Sequence, residues 1–323
     1  MIGWRTRKAL RKRGVMGINR RNGDYVLRYN PRSQYPLVDD KIRTKELAKR
    51  AGIVVPPLYG IIESEHDIRD FADLVEPHQD FVIKPSQGAG GDGILVVGDR
   101  FEGYYRTTSG RIINPEEVDF HLSGILSGVY SLGGHRDRAL VEYRVRSTPL
   151  FDRISFEGVP DLRIIVLRGY PVAAMLRLPT RQSQGKANLH QGAIGVGVDL
   201  ASGITVGGTW HNHKIDRHPD TGHAVSGLSI PDWNTCLELA SRCYDLTGLG
   251  YLGVDLVMDA EHGPMMLELN ARPGLNIQIA NDDGLIRRCE LIEQHLEERG
   301  DHPLPEEWER VKFCQRSFAV YLD

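Results

Sequence analysis

The stretch "FVIKPSQGAGGDGILVV", residues 81 to 97, constrains the fold of this chain more than any other. A short apolar run ends in Lys84, a glycine-rich loop follows, and a second apolar run begins at once. P-loops carry their lysine after the glycines, and both P-loops and dinucleotide-binding fingerprints lead into a helix. The order here instead predicts a β-hairpin whose glycine tip lets backbone N–H groups approach phosphate oxygens, with Lys84 beside them. Considered alone, the motif is equally compatible with a mobile hairpin tip that binds nothing.

The stretch "MMLELNARPG" adds a second constraint. Glu268 and Asn270 are two residues apart, so on a strand both side chains face the same side, and Asp255 lies on the preceding strand of a predicted hairpin. Two carboxylates and an amide carbonyl are hard oxygen ligands of the kind Mg²⁺ takes together with phosphate oxygens and water. A solvent-facing edge position is the alternative for Glu268, but its leucine neighbours favour a buried carboxylate with a metal partner. Together the two motifs predict a site for a Mg²⁺-nucleotide.

The composition is that of a globular protein with enough chain for two domains. The chain has 323 residues, of which 41% are hydrophobic and 26% charged. A net charge of −3 argues against a nucleic-acid binder. There is no apolar run long enough to span a membrane and no apolar core of a signal peptide. The four cysteines show no CxxC spacing, which predicts buried, reduced thiols and a cytoplasmic protein.

The start of the chain is strongly basic. It could be a solvated arm, or a docking element for an acidic protein or an anionic membrane surface, which would make the protein peripheral at the inner membrane. The first 21 residues contain no acid and eight basic residues: Arg5, Arg7, Lys8, Arg11, Lys12, Arg13, Arg20 and Arg21.

Helix and strand patterns alternate in a way that predicts an α+β fold of two lobes meeting near residues 100 to 138. Residues 22 to 36 are predicted to be a loop, and residues 99 to 115 irregular. Strand patterns dominate from residue 139, and helices end the chain. A helix is predicted within "LVDDKIRTKELAKRAGIVVPP", with Asp39 or Asp40 as its cap and Gly52 as its end. Further helices are predicted over "SEHDIRDFADLVEP", "PEEVDFHLSGILSGVYSL" and "DWNTCLELASRCYDLTGLG".

An ordered series of motifs resembles the ATP-grasp ligases, and within them the α-L-glutamate ligase family that includes the ribosomal-protein glutamate ligase. The resemblance covers roughly residues 36 to 290, and it rests on the order and spacing of "DDKIRTKELAKRAGIVVP", "FVIKPSQGAGGDG", "LVEYRV", "DLRIIV", "VAAMLRLP", "KANLHQGA", "GVDLV" and "LELNARPGLN".

The resemblance implies an ATP-grasp fold in which two α+β lobes clasp a nucleotide. It divides the chain into a basic arm (1–35), a small lobe with the glycine-rich hairpin (36–100), a helical connector (101–138) and a large lobe with the metal site (139–323). Relatives typically carry a full α/β domain before this core, so the chain is expected to lack that domain. Because the domain normally helps to bind substrate, a partner is expected to supply the missing wall.

The resemblance also implies the nucleotide-binding positions. Lys41 would reach the nucleotide from the first helix and Lys84 would hold the phosphates. Glu142 and Tyr143 would form the adenine hinge. The implied set for ATP is Lys41, Lys84, Gly88, Gly90, Gly91, Glu142, Tyr143, Asp161 and Arg163, with Asp161 near the ribose and Arg163 on the same strand face.

The remaining implied roles concern the metal and the chemistry. Asp255, Glu268 and Asn270 match magnesium ligands, for two Mg²⁺ ions or for Mn²⁺ in their place. Lys186 and Asn188 match a basic residue and an asparagine near the transferring phosphate, although the family pattern has arginine at the first. Arg272 would stabilise an acyl-phosphate or its oxyanion. Arg177, with Arg181, is either at a solvated strand end or binds a substrate carboxylate in a bidentate pair.

The expected activity is ATP-dependent amide formation through an acyl-phosphate, using glutamate or another amino acid and an amine on a small molecule, peptide or protein tail. The alternatives are a nucleotide-binding regulatory module that acts with a membrane or protein partner, and an ATP-grasp phosphotransferase.

Two further features bear on the site. Asp92, inside the glycine loop, would repel phosphate unless it faces outward or a metal intervenes. The loop with His211, His213, His218 and His223 is expected to be a polar rim, with zinc as the weaker alternative.

Overall fold

The structure is a computed structural model, which describes residues 4–88, 90–131 and 133–319, with side chains from residue 8 onward. The chain divides into two compact units, one formed by Met1–Val38 with Ser147–Asp323 and the other by Asp39–Arg146. Helices and mainly antiparallel strands occur in both, so the α+β prediction is confirmed. The segment from residue 139 to 146, which the sequence assigns to the large lobe, falls in the smaller unit.

The N-terminal segment is helical where a loop was predicted over residues 22 to 36, and that prediction was wrong. Tyr25 and Val26 are 1% and 3% exposed. Helices this short gain their stability from burial against the rest of the fold, and a local pattern of Asn, Pro and Arg does not reveal it. The elements are α1 (Trp4–Lys12), α2 (Ile18–Arg20), a π-helical stretch (Arg21–Val26), α3 (Leu27–Tyr29), a 3-10 turn (Arg32–Gln34) and α4 (Pro36–Asp39).

The smaller unit is a six-stranded sheet in the order β1-β6-β2-β3-β4-β5 with helices packed on it. Its core is a single apolar cluster that includes Phe71, Phe81 and Leu122. The elements are α5 (Lys41–Arg50), β1 (Leu58–Ile62), α6 (Glu65–Arg69), α7 (Phe71–Val75), β2 (Phe81–Pro85), β3 (Leu95–Phe101), β4 (Tyr104–Thr107), β5 (Ile112–Ile113), α8 (Pro115–Leu126) and β6 (Ala139–Glu142).

Local structure in this unit agrees with the predicted helix cap and the predicted hairpin. The Asp40 side chain accepts hydrogen bonds from the N–H groups of Ile42 and Arg43 at the start of α5. β2 and β3 pair antiparallel around the glycine loop, as predicted. The irregular segment predicted over residues 99 to 115 is instead part of β3, then β4 and β5, so that prediction was wrong.

The larger unit contains a seven-stranded antiparallel sheet in the order β11-β10-β9-β8-β7-β12-β13. The predicted hairpin of "YLGVDLVMD" and "GPMMLELNARPG" is confirmed as β12 and β13. The elements are α9 (Pro149–Ile154), β7 (Asp161–Leu167), β8 (Tyr170–Leu178), a 3-10 turn (Leu189–Gln191), β9 (Ile194–Val198), β10 (Thr205–Trp210), β11 (His213–Ile215), α10 (Trp233–Thr247), β12 (Tyr251–Asp259), β13 (Gly263–Asn270), α11 (Ile277–Ala280), α12 (Leu285–Arg299) and α13 (Glu307–Ser317).

All four cysteines are buried and unpaired, as expected: Cys236, Cys243, Cys289 and Cys314. Burial raises the pKa of the Cys236 and Cys243 thiols to about 12, so both remain protonated at neutral pH. In the part of the chain that the structure describes, each helix is either too short or too polar to cross a membrane.

Candidate functional site

In the smaller unit, two lysines share one buried carboxylate. Lys84 at the end of β2 forms an ion pair with Glu142 at the end of β6. Lys45, on α5, places its Nζ 2.8 Å from the second oxygen of Glu142 and 2.7 Å from the carbonyl oxygen of Pro56. The cluster therefore brings together two predicted nucleotide residues, Lys84 and Glu142, and adds a third residue that sequence reasoning missed.

This cluster carries one positive charge in excess. Burial would raise the pKa of Glu142, but Lys84 and Lys45 hold it below its usual value, so the carboxylate is ionised. Burial lowers the pKa of Lys45 to about 8, against the attraction of Glu142. Two ammonium groups and one carboxylate in a weakly solvated place attract an anion such as a phosphate group.

The glycine loop between β2 and β3 adopts backbone conformations that favour glycine. Gly90, Gly91 and Gly93 have φ angles of +70°, +83° and +74°. Lys41, from the start of α5, places its Nζ 2.6 Å from the carbonyl oxygen of Gly88, so it contacts the loop predicted to hold phosphate. Asp92 is exposed, which corresponds to the first of the two conditions under which its charge would not repel phosphate, that it faces outward.

The two residues predicted to form the adenine hinge make their contacts within the smaller unit. The Glu142 side chain faces the two lysines, while Tyr143 is 8% exposed and donates its backbone N–H to the carbonyl oxygen of Pro57 at 2.8 Å. Adenine binding by Glu142 and Tyr143 stays a prediction.

In the larger unit, charged side chains form a ladder across β8, β7 and β12. Arg163 lies opposite Asp255 in the strand register and binds it with two N–H groups, one of them 2.6 Å from Oδ2. Arg177 lies opposite Asp161, binds it in the same bidentate manner, and also donates to Asp255 Oδ2 at 2.8 Å. Arg177 therefore joins both carboxylates.

The charges of the ladder depend on burial and on these pairs. Burial raises the pKa of Asp161 to about 6, although Arg177 opposes the rise. Burial would likewise raise the pKa of Asp255, but Arg163 and Arg177 together hold it below its usual value. Burial would lower the pKa of Arg177, and the two carboxylates raise it instead. The ribose role of Asp161 and Arg163 and the substrate role of Arg177 stay predictions, and all three side chains already form ion pairs.

The residues predicted to bind a metal extend this ladder from Asp255 on β12 to Glu268 and Asn270 on the neighbouring strand β13. Asp255 lies opposite Glu268, Gly253 lies opposite Asn270, and a register irregularity follows Asp255. Like charges directly opposite each other destabilise a sheet, so Asp255 beside Glu268 requires cations, of which Arg163 and Arg177 are two.

By their chemistry, two carboxylates and an amide oxygen fit Mg²⁺. Among the described residues, no three His, Cys, Asp or Glu side chains gather as a metal group. Asp255, Glu268 and Asn270 stay predicted ligands.

Arg272 lies two residues after the end of β13. Its backbone N–H donates to Asn270 Oδ1 at 2.8 Å, and its guanidinium carbon lies 5.2 Å from the ring centroid of Tyr35. Arg21 donates to the carbonyl oxygen of Pro273 at 2.9 Å. The N-terminal segment thus contacts the loop that carries Arg272, which the sequence did not reveal.

The loop after β8 contains Lys186 and Asn188, both partly buried. Asn188 Oδ1 accepts the backbone N–H of His190 at 3.0 Å and so caps the 3-10 turn. Their place near a transferring phosphate stays a prediction.

His218 has a structural explanation. It is 1% exposed, with Nε2 2.9 Å from the carbonyl oxygen of Pro179 and Nδ1 3.1 Å from the backbone N of Asp220. These contacts fit a neutral ring with its proton on Nε2, which holds a polar loop in place. A zinc cluster of these histidines is absent from the described part of the chain.

One signal in the sequence could have pointed to Lys45, and none to the other residues that were missed. Lys45 lies four residues after Lys41, on the same face of α5. The contacts of Tyr35 and Arg21 join distant parts of the chain, and nothing local in the sequence indicates them.

Comparison with known proteins gives a family match and weaker likenesses. A family model described as sugar-transfer associated ATP-grasp matches residues 20–294. A probable α-L-glutamate ligase of Thioalkalivibrio sulfidiphilus is 25% identical over 236 residues, which are 73% of this chain and 56% of that protein. A protein of the same description from Maridesulfovibrio salexigens has the same identity and coverage. The chain thus spans a little over half the length of these curated relatives.

A solved structure with a weaker likeness is the D-alanine–D-alanine ligase of Bacillus anthracis complexed with ATP. It is 12% identical, with a TM-score of 0.45 over 88% of this chain and 67% of that one.

Proposed function

Because the chain belongs to the sugar-transfer associated ATP-grasp family, we propose that it is an ATP-dependent ligase that joins a carboxylate to an amine. The observation that carries this proposal is the row of charged groups on the larger sheet, in which Asp255 lies opposite Glu268 and Asn270 faces the same side. Oxygen donors beside guanidinium groups suit a site where phosphate oxygens and a divalent cation meet.

The proposed reaction has two steps. An oxygen of the substrate carboxylate attacks the γ-phosphorus of ATP, the bond to the β-phosphate oxygen breaks, and ADP leaves with that electron pair. The amine nitrogen then attacks the carbonyl carbon of the acyl-phosphate, the C–O bond to phosphate breaks, and the amine loses a proton. Such transfer depends mainly on alignment and on neutralising the oxygens, and it needs no protein nucleophile.

We assign the chain's residues to that chemistry as proposals. Lys84 and Lys41 neutralise and orient the phosphates, and Glu142 holds Lys84 in place. Glu268 and Asn270, with Asp255, would hold Mg²⁺, which when bound neutralises phosphate oxygens. Whether one or two ions bind, and whether Mn²⁺ substitutes, is measured by metal titration of ADP release.

The remaining proposed roles concern the phosphate group that is transferred. Arg272 stabilises the oxyanion, and Lys186 and Asn188 contact the phosphate that moves. Arg177 donates hydrogen bonds to both Asp161 and Asp255 and so keeps the two carboxylates in position.

Two findings guide the choice of substrate. The relatives described as probable α-L-glutamate ligases support glutamate or another amino acid as the carboxylate. The family is described as sugar-transfer associated, so we include amino sugars among the acceptors to test, beside amines of amino acids and peptides.

The test measures ADP and phosphate release by the full chain with Mg²⁺-ATP, pools of amino acids and a panel of amino sugars and peptides. Mass spectrometry of the same reactions detects the product. We expect release that depends on both substrates, an amide product, and loss of both in Glu268→Gln. Glu238→Gln, a change on α10, is the matched control and should keep activity. A phosphorylated acceptor without an amide would instead indicate a phosphotransferase, and ATP binding without any turnover would indicate a regulatory module.

A second candidate, docking of the protein to an anionic membrane surface, is favoured by α1. The helix has no acidic residue, and its described side chains Lys8, Arg11 and Lys12 are exposed. Each lysine or arginine near such a surface contributes about 1 kcal/mol. We propose a cytoplasmic protein that is peripheral at the membrane through this helix.

Sedimentation with vesicles tests the docking. The full chain should bind vesicles containing phosphatidylglycerol and not pure phosphatidylcholine, and changing Lys8, Arg11 and Lys12 to glutamine should abolish binding. Equal sedimentation of the variant would contradict the role of α1, and absence of binding would favour an acidic protein partner.

A further inference from the structure

One end of the glycine loop is held by a buried carboxylate. Asp137 is 5% exposed, and its Oδ2 accepts the backbone N–H of Gln87 at 2.9 Å and the hydroxyl of Ser131. Its Oδ1 accepts the backbone N–H of Arg138 at 2.8 Å. Gly88 also forms an antiparallel bridge with Ser131. A buried carboxylate with several donors holds those donors in a fixed arrangement.

The other end of the loop is held by aromatic groups. His121, on α8, places Nε2 3.0 Å from the carbonyl oxygen of Gly93. A Cβ atom at Gly93 would lie 2.5 Å from Cγ of Tyr130, so that ring packs directly against the backbone of Gly93. The ring centroids of His121 and Tyr130 are 5.4 Å apart. Burial lowers the pKa of His121, which favours the neutral ring with a proton on Nε2 for the carbonyl.

Both ends of the loop are therefore attached to α8 and to the connection from α8 to β6. A loop that is ordered before it binds loses less conformational entropy on binding. We propose that Asp137 and His121 are positioning residues that hold the glycine loop in its phosphate-binding conformation before the nucleotide arrives. This inference rests on the proposed function, because it assumes that the loop holds phosphate.

The apolar packing of the unit lies elsewhere on the same helix. Val118, Leu122 and Ile125 of α8 are fully buried in the core cluster, whereas His121 is only partly buried and faces the loop. Substitution at His121 should therefore change the loop and leave the core intact.

Four variants of the full chain test the proposal: His121→Gln, His121→Phe, Asp137→Asn and Asp137→Ala. Glutamine places its amide N–H near the position of Nε2, while phenylalanine keeps the ring and removes the donor. Asparagine keeps one acceptor oxygen at residue 137, and alanine keeps none. Two quantities are measured, the Kd for Mg²⁺-ATP by calorimetry and the hydrogen exchange of the amides from Gln87 to Gly93 in the free protein. Melting temperatures control for folding.

We expect His121→Phe and Asp137→Ala to weaken Mg²⁺-ATP binding about tenfold, which corresponds to about 1.4 kcal/mol. Loop exchange should rise several-fold in both, with little change of exchange in the buried strands. His121→Gln should restore affinity and protection to within about threefold of the wild type, and Asp137→Asn should lie between Asp137→Ala and the wild type.

Wild-type affinity and protection in both His121→Phe and Asp137→Ala would overturn the proposal. It would also be overturned if His121→Gln were as impaired as His121→Phe, since rescue by a donor distinguishes positioning from packing. If the wild type failed to bind Mg²⁺-ATP, the proposed function would fail, while loop exchange in the free variants would still decide whether these residues hold the loop.

Discussion

The guanidinium of Arg272 lies over the ring of Tyr35, with 5.2 Å between its central carbon and the ring centroid. The two residues come from the two separate sequence segments that form the larger unit, and the backbone N–H of Arg272 donates to Asn270 Oδ1. The ring of Tyr35 therefore limits the orientation of the proposed oxyanion-stabilising guanidinium, while Asn270, a predicted metal ligand, fixes the backbone of Arg272.

Replacing Tyr35 with leucine should lower the rate of amide formation, because Arg272 loses the ring that limits its orientation. A cation–π contact at an exposed place is worth about 0.5–1 kcal/mol, so we expect kcat to fall about two- to fivefold. The KM for ATP should change little. Tyr35→Phe keeps the ring face and serves as the control. A loss of activity equal in both variants would show that the hydroxyl group, and not the ring face, matters.

Replacing Arg177 with methionine should strongly destabilise the protein, because Asp161 would lose its bidentate partner and Asp255 one of its two. Removing one partner of a buried ion pair costs about 3–5 kcal/mol. Urea unfolding measures this loss. Lys214→Met removes an exposed pair with Asp282 and should change the unfolding free energy by less than about 1 kcal/mol. Equal effects of the two substitutions would contradict the structural importance of the ladder.

Much of the fold was predictable because its signals are local. Short apolar runs predicted the hairpin around the glycine loop and the hairpin that carries Asp255 and Glu268, and Asp40 predicted the start of α5. The resemblance to ATP-grasp proteins, drawn from the order of short motifs, is confirmed by the family match over residues 20–294.

The rest was not predictable because it depends on contacts between distant residues. The helices from residue 18 to 29 are stabilised by burial of Tyr25, whose ring packs against Tyr251. His121 and Asp137 hold the glycine loop from 28 and 50 residues away along the chain. The short strand β4 depends on pairing with β3, and β5 depends on pairing with β4, which a window of a few residues does not reveal.

Lys45 should make stability depend on pH above neutrality. Its pKa in the folded protein is about 8, below its ordinary value of 10.5, so the unfolded chain binds more protons between these two values. Stability should therefore rise as pH increases from about 8 to 10.5, by at most about 3 kcal/mol. Unfolding measured at several pH values in wild type and Lys45→Met tests this, since the increment should disappear in the variant. A variant with the same slope as the wild type would rule out Lys45 as the cause.

Replacing Asn30 with alanine should detach the N-terminal segment from the sheet. The Asn30 side chain is 3% exposed, donates to the carbonyl oxygens of Tyr251 and Ala271 at 2.8 and 2.9 Å, and accepts the N–H of Tyr251 at 2.8 Å. Leaving buried backbone groups without partners costs about 1–3 kcal/mol each, so we expect a loss of about 2–4 kcal/mol of unfolding free energy. Asn19→Ala, at an exposed position of α2, is the control and should change stability by less than about 0.5 kcal/mol. Similar losses in both variants would mean that the segment tolerates neither change for reasons other than these bonds.

The contact between Asn30 and Tyr251 joins residues 221 positions apart, with the whole of Asp39–Arg146 between them in sequence. On the ribosome the smaller unit can complete its own sheet while most of the larger one is still to be translated. The helices from residue 18 to 29, however, cannot bury Tyr25 and Val26 until β12 has been synthesised. We therefore expect chaperones to bind the newly synthesised chain chiefly at its first thirty residues. We also expect late pauses in translation to change the yield of folded protein more than early pauses.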